Sequence, residues 1–148
     1  MRIADKWIGY EMLDTSGGEK LERWGDVYLR RPDPQAIWPA RDPSLWRKAQ
    51  AHYHRSEKGG GSWEFFTKLP DRWVMNYKNL RFYVRPTGFK HTGLFPEQAT
   101  NWDWMTGLVS DRVKQGREVR VLNLFAYTGC ATIACAAAGA SVCHVDAA

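Results

Sequence analysis

The sequence predicts an α/β fold in which a small β-rich module at residues 1–85 precedes a parallel α/β unit that begins at residues 86–148. Two observations carry this prediction. Short apolar stretches separated by turn residues fill the first part, which is typical of short β-strands. The last part contains, in order, an apolar stretch, a glycine turn, an alanine-rich stretch and a second apolar stretch. This order is typical of a strand–helix–strand unit.

The predicted β-rich module begins with two segments and a connector. Residues 7–13 lead into a turn at residues 14–18, and residues 20–29 form the returning segment. Four prolines make residues 31–43 an extended connector. Apolar residues at helical spacing then predict a short helix at residues 44–55.

Three further strands complete the predicted module. They follow the flexible break Gly59–Gly61 and consist of Trp63–Lys68, Trp73–Tyr77 and Leu80–Val84. Pro-Asp and Lys-Asn pairs supply the turns between them. The many aromatic side chains could stack on nucleic-acid bases, but at this density we favour the interpretation that they form the hydrophobic core.

The second part begins with a loop at residues 86–95. Pro96 opens a helix at the position where its missing N–H costs nothing, and Gly116 ends it. The apolar face of this helix consists of Trp102, Met105, Val109 and Val113.

The α/β unit itself follows this helix. Val121–Leu124 is predicted to be a buried strand, and Phe125–Gly129 a turn. Cys130–Ala138 is predicted to be a short helix closed by Gly139, and Ser141–Val145 a second strand. Two parallel strands with one helix leave open edges and an uncovered apolar face, so we expect the isolated chain to be marginally stable or to associate.

The residues after the two predicted strands favour a nucleoside ligand. Gly129 allows a tight turn and a close approach of a ligand to the backbone, and Asp146 ends the second strand, where its carboxylate can accept hydrogen bonds from ribose hydroxyls. The chain lacks both the Gly-x-Gly-x-x-Gly fingerprint and a P-loop. An adenosine without phosphates, as in S-adenosylmethionine, therefore fits better than NAD or ATP, although an α/β turn without a ligand would look the same.

The charge is unevenly distributed along the chain. Residues 1–90 hold 17 Lys and Arg against 11 Asp and Glu, a net charge of +6, whereas residues 91–148 hold 4 against 5, a net charge of −1. A basic first part suits a nucleic-acid-handling module in front of a small-molecule site. An ordinary solvated surface explains the same charge equally well.

Composition indicates a globular chain. The residues are 44% hydrophobic and 25% charged, and no apolar run is long enough to cross a membrane. The N-terminal residues lack the apolar core of a signal peptide, so we expect a cytoplasmic protein.

The cysteines and histidines do not predict a metal site. Cys130, Cys135 and Cys143 are odd in number and form no Cys-x-x-Cys pair. We expect reduced, buried, structural thiols, with a nucleophilic thiol as the less favoured alternative. His52 and His54 fall in the predicted helix, where residues two apart point to different faces. With no third ligand near them in the sequence, we expect no metal.

Two segments carry a resemblance to a known family. Leu122-Asn-Leu-Phe-Ala-Tyr-Thr-Gly-Cys130, followed by Val145-Asp146, resembles motif I and the acidic end of the second strand in class I S-adenosylmethionine-dependent methyltransferases. Its Asn-x-Phe-x-Tyr-Thr-Gly form resembles the large-subunit ribosomal RNA cytosine-C5 methyltransferase group. Lys90-His-Thr-Gly-Leu-Phe-Pro-Glu-Gln98 is similar to that group's Lys-Thr-Gly-x-Phe-x-Asp-Gln-Arg segment.

The resemblance implies the start of a Rossmann-like class I methyltransferase domain with S-adenosylmethionine as its cofactor. Four turn residues would surround the methionine end of the cofactor, Asp146 would bind the ribose hydroxyls, and two residues would approach from the preceding helix. The implied cofactor-binding residues are Phe95, Gln98, Asn123, Phe125, Tyr127, Thr128, Gly129 and Asp146.

The resemblance also implies a reaction. The chain would be the N-terminal part of an enzyme that methylates ribosomal RNA at cytosine C5, with the family's Asp-Pro-Pro motif and nucleophilic cysteine beyond residue 148 and no catalytic residue before it. Glu97 and Ala99 stand where the family has Asp and Arg. Two other functions stay open, namely a non-catalytic RNA-binding module and, less favoured because the glycine fingerprint is missing, a fragment of a nicotinamide-dependent oxidoreductase.

Overall fold

The structure is a computed structural model that describes residues 2–56 and 59–147. It has the mixed α/β character that the sequence predicts. The chain divides into two compact units. We call residues 7–56, 59–76 and 83–93 the N-terminal unit, and residues 2–6, 77–82 and 94–147 the C-terminal unit. The domain boundary predicted at residue 85 stays a prediction.

The N-terminal unit contains a five-stranded sheet in the order β1-β2-β3-β4-β5. Neighbouring strands are antiparallel except for β3 and β4, which are parallel. The strands are β1 Tyr10–Ser16, β2 Glu19–Trp24, β3 Val27–Pro32, β4 Ala51–Arg55 and β5 Gly61–Phe65.

Two-residue turns join the first three strands. Gly17 and Gly18 have φ angles of 55° and 82°, and Gly25 has a φ of 66°. These positive angles suit the tight hairpin turns whose twist matches that of the strands. The predicted single segment at residues 20–29 is therefore wrong, because the turn at Gly25 and Asp26 divides it into β2 and β3.

The helix predicted at residues 44–55 is also wrong. A short 3-10 helix covers Leu45–Lys48, and the chain then becomes extended and forms β4. Strand β4 pairs with β5 from Ala51 to Arg55 and with β3 at Ala51 and His52, and Tyr53 is buried within it. Tertiary pairing has thus overridden a helical spacing of apolar residues.

A buried ion pair lies in the N-terminal unit. Glu22 is fully buried, and Arg31 contacts both of its carboxylate oxygens, with Nε at 2.6 Å and Nη2 at 2.8 Å. The hydroxyl of Tyr10 donates to the same carboxylate at 2.8 Å, and Nη1 of Arg31 donates to the carbonyl of Lys90 at 2.9 Å. The charges are thus hydrogen-bonded on both sides, as burial requires.

The aromatic side chains divide between core and surface. Trp7, Trp24 and Tyr53 are buried, as the core interpretation expects. A second group is exposed on the N-terminal unit and comprises Trp38, Phe65, Phe66, Tyr83 and Phe89.

A second, two-stranded sheet consists of β6 Trp73–Tyr77 and β7 Leu80–Val84, at the positions that the sequence predicts. Lys78 and Asn79 connect them, and Lys78 has a φ of 52°. The preceding strand β5 begins two residues before its predicted start at Trp63.

The C-terminal unit contains a strand–helix–strand motif preceded by a longer helix. A 3-10 helix at Pro96–Gln98 leads into α1 Ala99–Lys114. The motif is β8 Arg120–Leu124, α2 Cys130–Ala137 and β9 Ser141–Val145. Strands β8 and β9 are parallel, with Leu124 opposite Val145.

The packing of this unit is less complete than predicted. On α1, Trp102 and Val109 are buried but Val113 is 38% exposed. Strand β8 is not a buried strand among the described residues, since Leu122 is 62% exposed and Leu124 is 54% exposed. Leu122, Leu124 and Val145 are therefore exposed apolar side chains on the β8–β9 pair.

Among residues 2–56 and 59–147, no helix combines the length and the apolar character needed to cross a bilayer.

Candidate functional site

The turn after β8 is fixed to the end of β9. The N–H of Ala126 donates to the carbonyl of Val145 at 3.1 Å, and the N–H of Gly129 donates to the carbonyl of Ala126 at 3.0 Å. Because β8 and β9 are parallel, the turn and Asp146 meet at the same edge of the sheet. This edge is where ligands bind in open parallel sheets.

The backbone of this turn is strained. Phe125 and Tyr127 have φ angles of 53° and 52°, in the left-handed region that bulky residues rarely adopt. Phe125 is also 94% exposed, so burial of its ring does not hold it in this conformation. Strain of this kind, on the order of 1–3 kcal/mol for each residue, concentrates at ligand-binding sites.

Asp146 is held against the turn by its carboxylate. Oδ2 accepts a hydrogen bond from the N–H of Tyr127 at 2.6 Å. The second oxygen, Oδ1, remains able to accept from a ligand at the sheet edge. The predicted position of this acid at the end of the second strand is therefore observed, whereas its role in binding a cofactor stays a prediction.

A hydrogen-bonded chain of side chains links the three elements of the motif. Nδ2 of Asn123 donates to Oγ1 of Thr132 at 2.9 Å, and Oγ1 of Thr132 lies 2.9 Å from Nδ1 of His144. This chain joins β8, α2 and β9. Sequence reasoning missed Thr132 and His144, because neither belongs to the motif residues and their distance from Asn123 in the sequence hides the contact.

A cavity of about 560 Å³ lies beside the turn within the C-terminal unit. Six of the eight predicted cofactor residues line it, namely Phe95, Gln98, Asn123, Phe125, Tyr127 and Thr128. The rings of Phe95 and Tyr127 lie 5.5 Å apart between centroids. Gly129 and Asp146 are outside this lining and lie at its edge, in the turn and after β9.

Helix α1 contributes lining residues that the sequence analysis did not select. Trp102 and Met105 were assigned to the apolar packing face, and they also reach the cavity. Leu94, Leu124, Ala126 and Cys130 also line the cavity; they lie in the two motif segments but were not selected as cofactor residues. No sequence signal marks the remaining lining residues, which are Asn101, Trp104 and Ala131.

The cysteines are free thiols in different environments. Cys135 is buried and Cys130 is half-buried, but Cys143 is exposed, so its predicted burial is wrong. Burial raises the pKa of the Cys130 and Cys135 thiols. Both therefore stay protonated at neutral pH, which favours the structural interpretation over a nucleophilic one.

Gly129 permits a prediction about stability. Its φ is 90°, and a Cβ at this position would lie 3.3 Å from Cε1 of His144. We expect Gly129→Ala to lower the free energy of unfolding by about 1–2 kcal/mol, measured by urea denaturation. Gly107→Ala is the control, because this helical glycine has open space around it and the change should stabilise by roughly 0.5–1 kcal/mol. Equal stability of Gly129→Ala and wild type would contradict the assigned strain.

No protein-family model matches the chain, and no curated protein does. Solved structures do match. The chain is similar to a SAM-dependent methyltransferase from Agrobacterium tumefaciens, with 38% identity and a TM-score of 0.88, over 96% of this chain and 45% of that one.

Two further structures share the fold. One is described as a SAM-dependent methyltransferase from Streptococcus mutans, with 17% identity and a TM-score of 0.60, over 92% of this chain and 38% of that one. The other is described as a methyltransferase in complex with SAH (S-adenosylhomocysteine), with 18% identity and a TM-score of 0.61, over 92% and 37%.

The chain thus spans less than half the length of each of these three structures. Over that span its fold is that of SAM-dependent methyltransferases. This similarity supports S-adenosylmethionine as the cofactor that the sequence predicts.

Proposed function

We propose that the chain is the N-terminal portion of a class I S-adenosylmethionine-dependent methyltransferase, and that β8, α2 and β9 begin its Rossmann-like domain. The observation that carries this proposal is the carboxylate of Asp146, held by the N–H of Tyr127 at the shared edge of two parallel strands. A carboxylate at this place suits a ribose diol.

The residues of the candidate site would bind different parts of the cofactor. Asp146 would accept hydrogen bonds from the ribose hydroxyls, and the backbone of the strained turn would approach the methionine end. The rings of Phe95 and Tyr127 would cover apolar parts of the ligand and exclude water. S-adenosylmethionine, when bound, supplies a methyl group carried on a sulfonium.

Ribosomal RNA with cytosine C5 as the methyl acceptor is the proposed substrate. A cytosine-C5 reaction needs a thiolate that adds to C6 of the base, and burial keeps the cavity-lining Cys130 protonated. We assign no thiol of this chain that role. A cytoplasmic location belongs to the same proposal.

Exposed aromatic and basic side chains on the N-terminal unit support RNA as the partner. The guanidinium of Arg72 lies 4.4 Å from the centroid of the exposed Tyr83 ring, and Phe65 and Phe66 are about half exposed. Such pairs can stack on bases while neutralising phosphates. The same observation favours a second candidate function, a non-catalytic RNA-binding module.

Ligand binding separates these functions. We expect the chain to bind S-adenosylhomocysteine and not NADH in isothermal titration calorimetry, since it lacks a fingerprint for the pyrophosphate. Preference for NADH would favour the oxidoreductase. Binding of ribosomal RNA without either ligand would favour the binding module. In the RNA measurement, the affinity of the Arg72→Ala variant for RNA is compared with that of Arg117→Ala. Arg117 is an exposed arginine of the C-terminal unit.

A further inference from the structure

Two histidines of the N-terminal unit lie side by side on β4. His52 and His54 are two residues apart in a strand, so their side chains point to the same face of the sheet. Their ring centroids are 3.9 Å apart. In a helix the two side chains would point to different faces, but both residues belong to strand β4.

A carboxylate from the neighbouring strand joins the pair. Glu64 on β5 lies directly opposite His52 in the register, and its Oε2 is 2.7 Å from Nε2 of His54. One ligand atom from each of His52, His54 and Glu64 can be chosen so that all three lie within 4.8 Å of one another. Two imidazoles and one carboxylate form a common ligand set for transition metals.

A second carboxylate orients the inner histidine. Oε1 of Glu19 is 2.5 Å from Nε2 of His52, which leaves Nδ1 as the nitrogen that His52 can offer to an ion. Metal-ligating histidines usually donate their other ring N–H to a carboxylate in this way. Arg30 forms an ion pair with Glu19, so the negative charge that remains for an ion is that of Glu64.

We propose that His52, His54 and Glu64 bind a divalent transition metal of the zinc class, with Glu19 as the positioning residue of His52. Tetrahedral ligands at about 2.0–2.2 Å from an ion lie roughly 3.4 Å apart. His54 and Glu64 therefore separate by less than about 1 Å to admit it, and the ligand atom of His52, within 4.8 Å of the other two, moves inward by at most about 1.4 Å.

The surroundings of the site allow this movement. The side chains of His54 and Glu64 are 49% and 55% exposed, so an ion can reach them from solvent.

The test is a zinc titration of the complete chain, without a histidine tag, measured by isothermal titration calorimetry. We expect one Zn²⁺ per chain. Glu19→Gln should weaken the affinity about 10- to 100-fold, the usual effect of losing an orienting partner. His54→Ala and Glu64→Gln should weaken it at least as much, and both residues are exposed enough for the fold to survive, which circular dichroism checks.

Matched variants exclude other binding residues. His91→Ala and Cys143→Ser should leave zinc affinity unchanged, and the visible spectrum of bound Co²⁺ should show nitrogen and oxygen ligands without sulfur. Absence of zinc binding would overturn the proposal, as would an affinity that survives His54→Ala but is lost in Cys143→Ser. Binding of S-adenosylhomocysteine does not enter this test, so the two proposals stand or fall separately.

Discussion

Replacing Glu22 by glutamine is expected to lower the free energy of unfolding by about 3–5 kcal/mol, the usual result of removing one partner of a buried ion pair. The change keeps the size of the side chain but leaves the guanidinium of Arg31, which is 5% exposed, without a counter-charge. Urea denaturation at pH 7 measures the loss. The exposed pair Glu11–Arg23, with N and O 3.2 Å apart, is the control, and Glu11→Gln should cost no more than about 1 kcal/mol.

The pH dependence gives an independent measure of the same pair. Burial alone would raise the pKa of Glu22, but Arg31, Lys20 and Tyr10 outweigh it and hold the pKa below its ordinary value of 4.5. Stability from a carboxyl with a depressed pKa is fully present above the unfolded-state pKa and is lost as the pH falls through the folded-state pKa. Wild type should therefore lose stability in acid more steeply than Glu22→Gln.

Two results would contradict this account. One is a loss at pH 7 no larger than that of Glu11→Gln. The other is an identical acid profile for wild type and Glu22→Gln. The double variant Glu22→Leu, Arg31→Met should lose less free energy of unfolding than Glu22→Gln alone, because it removes both charges together.

Asp146→Asn is expected to weaken S-adenosylhomocysteine binding about 10- to 100-fold, since charged hydrogen bonds are worth roughly 1.5–3 kcal/mol. The amide oxygen of asparagine can still accept from the N–H of Tyr127, so the turn should persist. What is lost is the negative charge and one acceptor for the ribose hydroxyls. Isothermal titration calorimetry measures the affinity, and the melting temperature shows whether the fold is retained.

The matched control is Asp111→Asn. Asp111 is an exposed carboxylate on α1 that does not line the cavity, and its substitution should leave the affinity unchanged. If Asp146→Asn binds the ligand as wild type does, the acid at the end of β9 does not hold the ribose. An equal loss in both variants would point to a general charge effect instead.

The parts of the fold that the sequence predicts well are those fixed by local chemistry. Ser141–Val145 is observed at its predicted bounds, because a glycine marks the end of the preceding small-residue helix and so the start of the strand. The helix predicted at residues 44–55 is wrong because the apolar spacing suits a helix, whereas the observed strand β4 depends on pairing with the earlier strand β3 and with β5, which follows it. This pairing leaves no signal within the segment itself.

The same distinction applies to the candidate site. The turn residues and Asp146 belong to one short motif, and the structure brings them together. Trp104 reaches the cavity from α1, and Glu64 reaches His54 from β5, through the arrangement of whole elements. Neither contact could be inferred before the elements were placed.

Tryptophan fluorescence and helical circular dichroism report on different units of the chain. Two of the eight tryptophans, Trp102 and Trp104, belong to the C-terminal unit, and both line the cavity. The other six lie in the N-terminal unit, whereas both α-helices of the described residues lie in the C-terminal unit. Intrinsic fluorescence during melting therefore follows mainly the N-terminal unit, and helical circular dichroism follows the C-terminal unit. Coincident curves would show that the two units unfold together, and a ligand in the cavity would change the emission of Trp102 and Trp104 first.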